Sequence, residues 1–234
     1  MSINSENSLL SNKIVYDITK FTHLDYPDKL ACIVWFCGCN MRCAYCYNDD
    51  IVYADKGDFS LDDVLEFLKS RQGLLDGVVL SGGEATNYNL ASFVKKVKEL
   101  GFAIKLDTNG TNFNNLLKLC SLGFIDYVAL DYKAPEYKFQ ALTLSNRFGE
   151  FSKSLDYLLE SGIAFEVRTT VHADLLDEQD INEIIVDLAK RGYKRDYFIQ
   201  EFLTTKSNIG NIKAPKKSVS KANLLNDRLN IVFR

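Results

Sequence analysis

The chain has 234 residues, 47% of them hydrophobic, and a formal net charge of −3 from 28 basic and 31 acidic side chains. That length and apolar content suit one domain with a sizeable core. The near-balanced charge argues against a nucleic-acid or membrane-surface protein, and no run is apolar enough to span a bilayer. The polar start, Met-Ser-Ile-Asn-Ser-Glu-Asn-Ser, lacks the apolar core of a secretory signal. Six cysteines without an export signal point to a reducing, cytoplasmic setting, where thiols serve metals or catalysis.

Residues 1–13 read as a polar N-terminal tail. Residues 13–18 and 21–30 lead into an apolar run, Ala31-Cys-Ile-Val-Trp-Phe36, the pattern of a buried parallel strand. A cysteine-rich loop follows. Ser60 is placed to cap a helix with acids in its first turn, and Leu61, Val64, Leu65 and Leu68 give that helix its apolar stripe. A strand at 77–80 runs into Ser81-Gly-Gly-Glu84. The next helix, carrying Leu90, Phe93, Val94, Val97 and Leu100, stops at Gly101. A strand at 102–106 ends in Asp107-Thr-Asn-Gly110, and a helix at 112–122 stops at Gly123. A strand at 125–130 ends in Asp131-Tyr-Lys133. A helix from about Glu150 stops at Gly162, and a strand at 163–167 runs into Arg168-Thr-Thr-Val-His172. A helix through Ile181, Ile184, Ile185 and Leu188 stops at Gly192. A strand at 197–199 ends in Gln200-Glu201.

Strand–helix alternation of this kind specifies a parallel sheet with helical crossovers. In each repeat the unusual polar residues sit just after the strand, on the face where barrels build active sites. The predicted fold is α/β, a partial (β/α)6 TIM-like barrel open on one side, over residues 14–203. Residues 204–234 make a basic C-terminal tail with Lys206, Lys213, Lys216, Lys217 and Lys221, in which Leu229-Asn-Ile-Val-Phe233 can add a last strand. The basic run reads as a solvated tail, the other reading being contact with a partner's acidic surface.

The chemistry concentrates in Cys39-Asn-Met-Arg-Cys-Ala-Tyr-Cys46. Three thiolates on one short loop can wrap one metal centre. On a four-iron cluster they leave one iron open for chemistry. Structural zinc prefers four ligands in paired motifs, and adding Cys37 gives an unusual spacing. A ferredoxin-like electron carrier needs a fourth cysteine nearby, but the next one is Cys120. Cys32 and Cys120 read as core. Asp107 and Asp131 end successive strands. Each orders a loop, or the two share a cation, since paired buried carboxylates are costly otherwise. Arg168 can pair with a carboxylate. His172 has either a structural or a ligand-contacting role.

The pattern C-x3-C-x-aromatic-C resembles the signature of the radical S-adenosylmethionine (SAM) enzymes. The resemblance implies that Cys39, Cys43 and Cys46 bind a [4Fe-4S] cluster whose free iron is chelated by SAM. It implies that Gly82, Gly83 and Glu84 form the site of the methionine amino group and that Tyr45 packs on adenine, a residue whose aromatic face reads equally well as loop packing. It further places Asp107, Thr108, Asp131 and Lys133 beside the SAM carboxylate and a bound cation, with Arg168 at the carboxylate or ribose. The implied reaction is one-electron cleavage of SAM to methionine and a 5′-deoxyadenosyl radical.

Phe21-Thr-His-Leu-Asp-Tyr-Pro-Asp-Lys-Leu-Ala31, Gly73 to Glu84, Lys105-Leu-Asp-Thr-Asn-Gly110 and Arg168-Thr-Thr-Val-His172 resemble the anaerobic ribonucleoside-triphosphate reductase activating proteins, with pyruvate formate-lyase activating enzymes a close second. The partners so implied are a glycyl-radical enzyme, namely anaerobic ribonucleotide reductase, and a flavodoxin- or ferredoxin-type reductant. A radical SAM enzyme acting on a small molecule, similar to 7-carboxy-7-deazaguanine synthase, is the alternative. Two departures stand out. Tyr47 follows Cys46 where many activases have histidine, and Ala85 follows Gly-Gly-Glu where proline is usual.

Overall fold

The structure, a computed structural model, describes residues 10–234. Most of the predicted N-terminal tail therefore lies outside the described residues. Strands and helices alternate along the chain, the α/β architecture read from the sequence. The chain separates into two compact units, one of residues up to Asn40, Asp50–Thr108 and Asn114–Val128, the other of Met41–Asp49, Asn109–Phe113 and Ala129–Arg234.

In the first unit β1 (Val15–Thr22) pairs antiparallel with β2 (Ala31–Phe36). Parallel pairing then carries β2 to β3 (Gly77–Gly82) and β3 to β4 (Ala103–Thr108). Ala31, Cys32, Val34, Phe36, Val78, Val79 and Leu80 are buried, as strands covered on both faces require. Helix α1 (Asp49–Tyr53) begins three residues after Cys46. Helix α2 (Leu61–Lys69) starts at a capping box in which Ser60 and Asp63 satisfy each other's backbone amides. Helix α3 (Ala91–Glu99) ends just before Gly101, whose φ of 93° only glycine adopts cheaply. Helix α4 (Phe113–Ser121) follows, and β5 (Tyr127–Asp131) returns to the sheet.

In the second unit α5 (Glu136–Thr143) and α6 (Phe148–Glu160) precede β6 (Ala164–Val171), and α7 (Glu178–Lys190) precedes β7 (Tyr197–Glu201). The last strand, β8 (Ile231–Phe233), lies parallel to β7. An aromatic cluster of Tyr132, Phe139, Phe148 and Phe151 packs α5 and α6 together, with ring centroids 4.6–6.3 Å apart. Among the described residues no helix is long and apolar enough to cross a membrane.

Candidate active site

Each unit carries its own set of the residues singled out in the sequence. In the first unit, the end of β2 is held backbone to backbone. Gly83 N–H donates to the Phe36 carbonyl at 2.9 Å, and Glu84 N–H donates to the Gly38 carbonyl at 2.9 Å. This contact explains the two glycines. A Cβ on Gly82 would stand 2.2 Å from the Phe36 nitrogen, and one on Gly83 would stand 1.9 Å from the Gly38 oxygen. The close approach that glycine permits here is of the chain's own backbone, one residue before Cys39.

Glu84 is buried, and its Oε1 accepts from Thr86 N (3.1 Å), Thr86 Oγ1 (2.6 Å) and Thr108 Oγ1 (2.8 Å). It therefore ties the end of β3 to the end of β4. Asp107 accepts from Lys105 Nζ at 2.7 Å and from Ser81 Oγ at 3.2 Å. Lys105 is only 2% exposed and was not foreseen. Its trace in the sequence is a lysine between Ile104 and Leu106 inside an apolar strand. A buried ammonium needs a carboxylate partner, and Asp107 supplies it.

In the second unit, the loop carrying Cys43, Tyr45 and Cys46 is pinned from two sides. Arg42 N–H donates to Thr143 O (2.8 Å) and Ala44 N–H to Leu142 O (3.1 Å), using carbonyls left open at the C-terminal end of α5. Ile209 N–H donates to Cys46 O (2.9 Å) and Gly210 N–H to Ala44 O (2.8 Å). Cys43 and Tyr45 are buried, while Cys46 is partly exposed. Burial pushes the Cys43 thiol up to about 11, against the opposing pull of the Lys133 ammonium. A metal would displace that proton.

Lys133 Nζ lies 6.0 Å from the centre of the Tyr45 ring and 2.9 Å from Asp131 Oδ2. The Arg168 guanidinium bonds the other oxygen of Asp131. Burial alone would raise the Asp131 carboxyl, but Arg168 and Lys133 outweigh it and hold it down to about 2. Burial likewise opposes the charge on Lys133, and Asp131 restores it, holding the ammonium above the usual lysine range.

The electrostatic reason for a shared cation thus falls away: Asp107 is matched by Lys105, and Asp131 by Lys133 and Arg168. His172 is a strut. Its Nε2 meets Lys213 O at 2.8 Å, and its ring stands edge-on to Phe202. Cys32 and Cys120 are buried in the core.

All six cysteines are free, so the soft thiol donors that iron prefers are present within eight residues. The buried Tyr45 hydroxyl between two of them has no hydrogen-bond partner. This donor set fits an iron–sulfur cluster. Among the described residues no three His, Cys, Asp or Glu side chains form a ready metal cage, so the fit rests on the thiols and their spacing.

Residues 33–195 match the Radical SAM superfamily, whose members carry a [4Fe-4S] cluster and SAM. A Methanocaldococcus jannaschii protein provisionally named a glycyl-radical enzyme activating enzyme is 32% identical over 81% of this chain and 80% of its own. A Clostridium pasteurianum pyruvate formate-lyase-activating enzyme is 26% identical over 71% of each chain. Among solved structures, Streptococcus suis SuiB bound to S-adenosylmethionine superposes with a TM-score of 0.62 at 15% identity, over 86% of this chain. The likeness to SuiB is one of fold, and this chain spans about half (51%) of that protein. The open α/β sheet, the cysteine spacing and these matches agree: the chain is an enzyme that belongs to the radical SAM superfamily.

Proposed function

We propose that this chain is an activating enzyme that installs a glycyl radical on a partner enzyme, anaerobic ribonucleoside-triphosphate reductase. The observation that carries the activase reading is its 32% identity with the M. jannaschii protein across four fifths of both chains. The choice of reductase rests on the stretches from Phe21 to Ala31 and from Lys105 to Gly110. Activation of pyruvate formate-lyase is the second reading, supported by the C. pasteurianum match.

Cys39, Cys43 and Cys46 are the proposed cluster ligands. When bound, the cluster and SAM supply a 5′-deoxyadenosyl radical that abstracts hydrogen from a glycine of the partner. The protein's part is binding, orientation and exclusion of water. Gly82 and Gly83 set the backbone that receives the methionine amino group, and Glu84 and Thr108 hold that backbone still. Lys105 pairs with Asp107 at 2.7 Å and fixes its place at the end of β4. Asp131, Lys133 and Arg168 form the polar seat for the SAM carboxylate or ribose, and Tyr45 walls the adenine.

The test is anaerobic reconstitution with iron and sulfide, then reduction by dithionite with SAM and each candidate partner. A glycyl-radical EPR doublet on the reductase is the expected result. A doublet on pyruvate formate-lyase alone would transfer the partner. 5′-Deoxyadenosine without a doublet on either would move the substrate elsewhere and overturn the activase reading.

A further inference from the structure

Residues 204–225, where the chain leaves the strand–helix repeat, form a strap fastened at successive points along the second unit. Ile209 and Gly210 donate to the carbonyls of Cys46 and Ala44, with Gly210 so close that a Cβ would stand 2.8 Å from the Ala44 oxygen. Further along, the Lys213 carbonyl meets His172 Nε2 at 2.8 Å, Lys216 N–H donates to Asp174 (2.9 Å), Ser220 N–H to Glu178 (3.1 Å) and Leu225 N–H to Asn182 (2.9 Å). Every one of these fastenings uses a backbone atom of the strap, and none uses a lysine ammonium.

Lys206, Lys213, Lys216, Lys217 and Lys221 are all exposed. Among the described residues no ion pair or hydrogen bond engages their side-chain nitrogens, though the Lys217 charge is felt by Glu178. From Phe202 to Asn226 the sequence contains no Asp or Glu, in a chain whose net charge is −3. A free basic tail relieves its self-repulsion by moving. Here the backbone is fastened and the five like charges are held on display.

We propose that the strap is the docking surface for an acidic one-electron carrier protein. The inference rests on the radical SAM reading. Cleaving the sulfonium of SAM to methionine and a carbon radical consumes one electron, and amino-acid side chains do not supply it. A reduced carrier would supply that electron to a cluster held by Cys39, Cys43 and Cys46. The first two fastenings are to the carbonyls of Ala44 and Cys46, so a carrier seated on the strap is brought to the loop that bears two of the three thiols. Charge complementarity of this kind raises association rates about 10- to 1000-fold at low ionic strength.

The experiment uses the full reconstituted chain with all five lysines changed to alanine, and separately the pair Lys216→Glu with Lys217→Glu. Oxidised flavodoxin is titrated onto each protein at low and high salt, and 5′-deoxyadenosine formation is measured with reduced flavodoxin and with dithionite. Both variants keep their fastenings and should melt with the parent. The expected result is at least a ~10-fold loss of flavodoxin binding and of flavodoxin-driven rate at low salt. The dithionite rate should stay unchanged, and about 0.5 M salt should bring the parent down to the variants.

Unchanged flavodoxin binding and rate would overturn the proposal. So would a fall in partner glycyl radical under dithionite, which would give the strap to the glycyl-radical enzyme. An inactive parent under dithionite would instead defeat the radical SAM reading. The titration, which needs no turnover, would still decide the docking surface.

Discussion

Glu84 and Asp131 both sit at the ends of strands, and different bonds hold Oε1 of the one and the two oxygens of the other. Oε1 of Glu84 accepts from neutral donors, two threonine hydroxyls and a backbone amide. Asp131 is flanked by two cations, Lys133 and Arg168. Neutral donors fix a position, and what they hold is geometry: the corner of Gly82, Gly83 and Glu84 against the end of β2. Flanking cations fix a charge, and what they hold is an ionised carboxylate against the opposing effect of burial. One corner of the chain is therefore built for shape and the other for electrostatics, and the two should fail differently.

The largest expected effect lies outside both. Cys43→Ala removes one of three proposed ligands, so reconstituted protein should lose its iron and sulfide and all SAM cleavage. Retention of both would sink the ligand assignment. Next comes Gly83→Ala, which puts a methyl 1.9 Å from the Gly38 oxygen. The backbone must shift, with a cost of about 3 kcal/mol or more and SAM affinity reduced at least ~100-fold. Calorimetric titration and thermal melting would check both.

Asp131→Asn should cost about 3 kcal/mol, because it leaves two partly buried cations without their carboxylate. Glu84→Gln should cost about 1 kcal/mol, because a glutamine oxygen still accepts from the same hydroxyls. Equal losses in urea unfolding would break the contrast between the two corners.

Acid sharpens the same contrast. The Asp131 carboxyl titrates near 2 in the folded chain and near 3.9 when unfolded. Its stabilisation is therefore complete above about pH 4 and is lost as pH falls towards 2. The Asp131→Asn variant should lack that part of the acid loss. The smallest effect belongs to Cys120→Ala, a buried core thiol, which should keep the cluster and cost about 1 kcal/mol.

The order of strands and helices was legible because each repeat carries its own punctuation. Ser60 begins a helix with a capping box, and Gly101 and Gly123 close helices at positive φ. The antiparallel strand β1 escaped notice. Tyr16, Asp17 and Lys20 make it polar, and its partner β2 is known only once the chain has folded. Helix α5 was also missed, since it opens on Pro135 without a side-chain cap and its apolar stripe is weak.

At the site, cysteine spacing and Gly-Gly-Glu were visible as local strings. Lys105 was not, because an ion pair across two residues of one strand looks in sequence like a lysine misplaced among Ile104 and Leu106. The same blindness left a cation shared by Asp107 and Asp131 open as a reading beside loop ordering, whereas a lysine two residues away pairs with each carboxylate. The basic strap read as a solvated tail because its order comes in part from Asp174, Glu178 and Asn182, each more than forty residues before the strap residue it holds.

The most direct test of the account is production of 5′-deoxyadenosine from SAM by the anaerobically reconstituted protein under dithionite. The account predicts cluster-dependent formation of the nucleoside with methionine in equal amount, abolished by Cys43→Ala. A protein that binds a full cluster and SAM yet leaves SAM intact would contradict it.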